Sequence, residues 1–362
     1  MQQDTRLRRV RQRMRQDRID WLLVTRPSDV SYVTGFLGQD SWAIITSRAV
    51  LLLTDSRYTE QAQKECPKVQ IVERMGTLAN TVIHLVKKHR IGRLGIEQSI
   101  VLSDWLVIQK EIGRRLRPVD QPLADIRAVK GQLEIRYIQK AGRIARTALQ
   151  RAIAQLRPGI TELAFAGLLE LEIRKAGGSV AFETIVAFGA NGSRPHHQPT
   201  SRALRQNDTV LVDFGAKFMG YRSDITRTFV IGRPSDLFLK AYDVVRNAQE
   251  AAIAAIRPGV SLRQVDAIPR QVIQESGLPV YGHGSGHGIG LDIHEQPFLK
   301  PDAQGRLRLG QVLTIEPAIY LPGRLGVRLE DDVLVTRQGC RILTRQEPHC
   351  YDPSSYQEPP NG

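Results

Sequence analysis

Cysteine is scarce in this chain, with Cys66, Cys340 and Cys350 the only three in 362 residues. Their separations form neither a disulfide framework nor a metal-ligand spacing, which fits a reducing cytoplasm. No apolar run approaches the roughly 20 residues that span a membrane. The N-terminal stretch RLRRVRQRMRQDR has no apolar segment behind it, so a secretory signal is not expected. Residues 1–126 hold no Gly-rich phosphate loop and no His/Asp/Glu cluster. That leaves them a structural, specificity or dimerisation role.

What the chain does have is length and positive charge. An apolar content of 41% and a charged content of 24% are those of a soluble globular protein. The length suffices for two domains, each with its own core. A net charge of +14 would permit nucleic-acid binding. However, the arginines between Arg6 and Arg18 lie on the polar side of a helix whose apolar positions are Leu7, Val10 and Met14. No aromatics interleave them, so a solvated basic face is the better reading.

Residues 1–126 alternate short strands (21–25, 42–46, 50–53, 69–72, 93–96) with helices (57–66, 77–90, 103–115), the pattern of an α/β domain. A second domain is expected over 127–345, opening on a long helix from about Gly131. The tail 346–362, rich in Pro, Ser, Glu and Tyr, is expected to be poorly ordered.

The second domain repeats itself. RTALQRAIAQLRPGIT (146–161) matches RNAQEAAIAAIRPGVS (246–261) at half of its positions, and each is followed by a second helix ending in Gly. Downstream, LRQNDTVLVDFG (204–215) resembles LRLGQVLTIEPA (307–318), aligning Asp213 with Glu316. SDITRTFVIG resembles LEDDVLVTRQG, aligning Asp224 with Glu330.

VLVDFGAKFMGYRSDITRTFV (210–230) reads as a β-hairpin in which Asp213 and Asp224 face each other, or nearly so. Two carboxylates in apolar strands need a cation between them, and a divalent metal is the better candidate. A solvated hairpin with two surface acids is the alternative. If the repeats pack about a pseudo-twofold axis, four acids converge, as a two-metal site requires. YGHGSGHGIGLDIHEQP (281–297) adds His283, His287 and His294 amid five glycines, and a nitrogen ligand favours Mn, Co, Zn or Fe over Ca. His196 and His197 occupy the matching loop of the first half. One of them is taken as catalytic and the other as bland.

These residues resemble the pita-bread metallopeptidases: aminopeptidase P, prolidase and methionine aminopeptidase. The carrying motifs are VDFGAKFMGYRSDITRTF, GHGSGHGIGLDIHEQP, VLTIEPAIY and VRLEDDVLVT, in family order. The resemblance implies an α+β pita-bread catalytic domain behind an α/β creatinase/prolidase-type N-terminal domain. Methionine aminopeptidases usually lack the latter. It implies two divalent metal ions, manganese first, held by Asp213, Asp224, His287, Glu316 and Glu330, with Asp224 and Glu330 bridging. His196 and His294 would stabilise the tetrahedral intermediate, and Glu316 would take the proton of a metal-bridging water, leaving the attacking hydroxide, and pass it toward the leaving nitrogen. His283 would line the substrate pocket and Arg328 would orient Asp213.

The implied activity is an Xaa-Pro aminopeptidase acting on peptides with proline second, with prolidase the alternative. Some prolidases carry Arg just after HE-x-Pro, where it binds the dipeptide carboxylate. Phe298 stands there in this chain and favours longer peptides. A homodimer is expected, and membrane or nucleic-acid partners are not. A non-catalytic binding protein on the same fold is the remaining reading, weakened by the intact ligand set.

Overall fold

The computed structural model describes residues 2–345, with side chains from residue 5 onward; the expected tail and Cys350 lie outside the described residues. The chain divides into two compact units, Met1–Arg127 and Ala128–Gly362.

In the first unit, six strands form one sheet in the order 70–73, 50–54, 42–45, 21–24, 94–97, 116–119. The central hairpin 42–45/50–54 is antiparallel and the outer pairs are parallel. Leu23, Ile44, Leu53, Val86, Ile96 and Ile108 fill its core. The N-terminal helix Gln2–Gln16 buries Leu7, Val10 and Met14, as their spacing requires. Helix Pro27–Thr34 has no counterpart in the sequence reading. Its eight residues are too few to show a helical period, and only Pro27 at its first turn marks it.

The second unit is built twice. Helices Gln132–Ile153 and Glu162–Lys175 are followed by strands Ile185–Phe188, Thr209–Phe214 and Ile225–Val230. Helices Asp236–Ala255 and Leu262–Glu275 are followed by strands Gly286–Gly288, Val312–Ile315 and Asp331–Val335. In each half the middle strand pairs antiparallel with the other two.

The repeat reaches individual hydrogen bonds. The Gly159 amide donates to the Leu204 carbonyl and the Leu204 amide to that of Ile160; Gly259, Leu307 and Val260 do the same. Gly177 and Gly277 end the second helix of each half in the left-handed region, at φ 85° and 75°. Separate cores, Leu149, Phe165 and Val212 in one half and Leu262, Leu313 and Val333 in the other, hold each helix pair on its strands. The fold is thus α+β with an internal duplication. No helix among the described residues is long and apolar enough to cross a membrane.

Candidate metal centre

The four acids lie where each half turns from one strand to its partner. Asp213 pairs with Thr226, which puts Asp224 two residues away on the same face. The two carboxylates are therefore diagonal neighbours rather than directly opposed. The turn is centred on Met219-Gly220, both at positive φ, one residue beyond the midpoint between the acids. In the second half Ile315 pairs with Asp331, so Glu316 and Glu330 stand opposite each other one step further on.

Strand Ile225–Val230 joins the halves. The Glu330 amide donates to the Thr226 carbonyl, and the Thr226 hydroxyl donates to Glu330 Oε2 at 2.7 Å. Arg227 holds the adjoining backbone by bonding the Glu330 carbonyl and Asp331. This seam brings Asp224 and Glu330 together although they are far apart in the chain.

His287 enters from strand Gly286–Gly288. One ligand atom each from Asp224, His287 and Glu330 lie within 4.8 Å of one another. His287 Nε2 is 3.5 Å from Glu316 Oε1 and 3.7 Å from Asp224 Oδ2. Its Nδ1 lies 3.1 Å from the Gly288 carbonyl, which only an Nδ1–H can satisfy. Burial, reinforced by His294, drives the imidazole pKa down to about 3. The ring is therefore neutral, with the Nε2 lone pair turned toward carboxylate oxygens. That tautomer is the one a metal binds.

Electrostatics tell the same story. Burial, then repulsion from Glu330, Asp213 and other acids, hold the Asp224 carboxyl well above the usual carboxylate range. Glu330 is raised for the same reasons, chiefly burial and then Glu316 and Asp213. Burial pushes Glu316 up to about 8, Arg328 acting against the shift and Asp213 with it. Arg328 donates to Asp213 Oδ2 at 2.6 Å, to the Tyr320 hydroxyl at 2.7 Å and to Thr226. The other oxygen of Asp213 is buried without a hydrogen-bond partner. One guanidinium cannot neutralise four carboxylates, and an orphaned buried oxygen needs a positive partner. Hard oxygen donors with one imidazole fit divalent transition ions.

The remaining histidines separate by environment. His196, His283 and His294 line a cleft of about 340 Å³ that opens over the acids. The His294 ring stands 4.3 Å from that of His287, nearly perpendicular to it. His283 pairs its Nδ1 with the Gly284 carbonyl at 2.7 Å and its Nε2 with the Tyr320 hydroxyl at 3.1 Å. Burial lowers its pKa to about 4, so it is neutral. His197 points elsewhere. It is buried against Glu162, which also accepts from the Phe188 and Thr200 amides and from Asn191. That network braces the loop carrying His196. The loop also abuts the strand bearing Arg328, where a Cβ on Gly326 would stand 1.8 Å from the Gly192 carbonyl oxygen.

Sequence reasoning passed over Tyr320, Glu162 and Lys300. Tyr320 links Arg328 to His283, but a single tyrosine carries no pattern. Lys300, the first residue past strand Glu295–Leu299, lines the cleft with Phe298, its side chain 52% exposed and 3.4 Å from Asp302. Its position just beyond Phe298 was the available signal.

A duplicated fold that directs two acids from each half, with a neutral histidine, into one cleft defines a class of enzyme that holds divalent cations between carboxylates. Comparison with known proteins narrows the class. Residues 136–337 match Metallopeptidase family M24, and residues 6–129 match the Creatinase/Prolidase N-terminal domain. An Xaa-Pro dipeptidase of Pyrococcus horikoshii is 32% identical over 92% of this chain and 95% of its own length. The structure of an Xaa-Pro dipeptidase from Bacillus anthracis superposes with a TM-score of 0.92 at 34% identity, over 97% of this chain and 99% of that one. An X-Pro aminopeptidase from Thermotoga maritima gives 0.87 at 35%, over 94% and 99%. This chain belongs to metallopeptidase family M24, with a creatinase/prolidase N-terminal domain, and is an enzyme.

Proposed function

We propose that this protein is an Xaa-Pro dipeptidase that binds two divalent cations through Asp213, Asp224, His287, Glu316 and Glu330. When bound, such cations supply Lewis acidity to the scissile carbonyl and to the attacking water. The chain's own groups do the rest. Glu316 takes the water proton and returns it to the proline nitrogen as the C–N bond breaks. His294 and His196 line the cleft and donate to the carbonyl oxygen as charge develops there. Arg328 holds Asp213 in place. The Tyr320 hydroxyl, accepting from Arg328, donates to His283 Nε2 and so fixes that ring against the substrate. Manganese, cobalt, zinc and iron all accept this donor set, with manganese the first to test.

The preference for dipeptides reverses the expectation from Phe298, and Lys300 is the observation that carries it. The cleft floor is acidic and suits the substrate's ammonium end. A dipeptide also brings a carboxylate, and Lys300 offers a cation at the same cleft. The dipeptidase relatives support the same choice. Phe298, also lining the cleft, packs against the proline ring. An Xaa-Pro bond has no N–H, so an apolar wall leaves no donor unpaired.

The test is a comparison of kcat/KM for an Xaa-Pro dipeptide, its C-terminal amide and the matching Xaa-Pro-Yaa tripeptide, with added Mn²⁺. The dipeptide should be the best of the three. A faster tripeptide would make the enzyme an aminopeptidase, the reading that Phe298 alone favours.

A further inference from the structure

The geometry points to Lys130 as a positioning residue that sets the His287–His294 segment through Glu295. Lys130 lies far in sequence from every residue of the site, and the metal chemistry does not use it. Its ammonium is 2.6 Å from Glu295 Oε1, with the two side chains only 1% and 9% exposed. The same ammonium donates to the Ala128 carbonyl at 3.3 Å. Its backbone is fixed as well: the Lys130 amide donates to the Gly310 carbonyl, and Val129 bridges to Gln311. Gln311 leads directly into the strand that ends beside Glu316.

Glu295 is the immediate neighbour of His294 and opens strand Glu295–Leu299, which pairs with the strand carrying His287. Lys130 grips the Glu295 carboxylate, while His294, in the bend just before the strand, lines the cleft. Its carboxylate also lies against the turn between the two histidines, where a Cβ on Gly290 would stand 2.6 Å from Oε1. That turn is anchored at its other side by the Arg222 amide, which donates to the Gly290 carbonyl. The buried ion pair thus ties the strand leading to Glu316 to the segment that presents both His287 and His294.

A buried ion pair is a poor source of net stability, because desolvating both charges offsets their attraction. What it does supply is direction: a short bond between two charged groups at one distance. Misplacing a catalytic group by about 1 Å costs on the order of 10²-fold in rate.

Three variants separate positioning from simple stability: Lys130→Met, Glu295→Gln and the two together. Each is measured for metal content, for thermal midpoint with and without metal, and for kcat and KM on whichever Xaa-Pro substrate the wild type cleaves best. This choice keeps the test independent of the dipeptide preference. Each single variant removes one half of a buried ion pair and should lower the metal-free midpoint. The double variant should recover most of that midpoint, since neither charge of the pair remains. It should nevertheless keep kcat about 10- to 100-fold below wild type, with KM and metal content little changed. Recovery of kcat together with the midpoint would overturn the inference, because the pair would then matter only for folding. A rate loss that simply follows metal loss, or a double variant that does not fold, would overturn it equally.

Discussion

Replacing Lys300 with Met tests whether a positive charge at the cleft selects a free carboxylate. The substitution keeps the length and apolar stem of the side chain and removes the ammonium. Two unit charges about 4 Å apart attract by roughly 1 kcal/mol in water and roughly 4 kcal/mol at an effective dielectric of 20. Lys300 is 52% exposed and already lies 3.4 Å from Asp302, so the lower part of that range applies. A loss of about 1–2 kcal/mol in substrate binding corresponds to a KM raised about 5- to 30-fold for the Xaa-Pro dipeptide. The corresponding amide carries no carboxylate, and its KM should change by less than about twofold if only that contact is lost. Raising salt should weaken the wild-type advantage for the dipeptide, since exposed charges are screened. Steady-state kinetics on the dipeptide and its amide decide the matter. Equal losses on both substrates would mean that Met disturbed the cleft, and no loss on either would remove Lys300 from substrate recognition.

Glu330→Gln removes one of the two carboxylates assigned as bridging; it should cost at least one metal per chain and more than about 10²-fold in kcat, read by metal analysis and turnover. A fully active variant with both metals would remove Glu330 from the ligand set. His294→Ala should keep its metal and lose about 10²-fold or more in kcat, the scale of a transition-state donor; loss of metal would make His294 a ligand. Metal-free protein should lose stability between pH 6.5 and about 8. The raised pKa values of Asp224, Glu316 and Glu330 mean that the native form holds protons the unfolded chain has released, so their contribution is lost as pH rises. His283 and His287 have lowered values, so their contribution is present above about pH 6.5 and lost below it; they oppose the acids only on the lower side. Bound metal should flatten this dependence in thermal melts, and a metal-free midpoint that rises over that window would contradict the acid cluster.

Much of the second unit was legible because duplication writes itself into sequence. The paired RPG turns and following helices recur with a constant spacing, and each middle strand ends beside an acid. The hairpin that presents Asp213 and Asp224 was equally clear, because alternation and a Met-Gly turn are local. Its register was legible only to within two residues, since the turn centre does not coincide with the midpoint between the acids. His283, His287 and His294 stood out because they are dense in a glycine-rich stretch. Nothing local distinguished His196 from His197. Burial beside Glu162, 35 residues away, sets His197 apart.

The sequence by itself therefore determined the two-unit α+β plan, the duplication, and the acids and histidines available for chemistry, because each is encoded in short-range periodicity or spacing. Tertiary structure alone decided which groups meet. Lys130 reaches Glu295 across 165 residues, Arg328 reaches Asp213 across 115, and Thr226 reaches Glu330 across 104. It also decided that Lys300, two residues past Phe298, lines the cleft. Contacts between distant segments depend on how whole strands and helices pack. No pattern within a window of a few residues specifies that packing, so the partners of the site became visible only when the two halves were brought together.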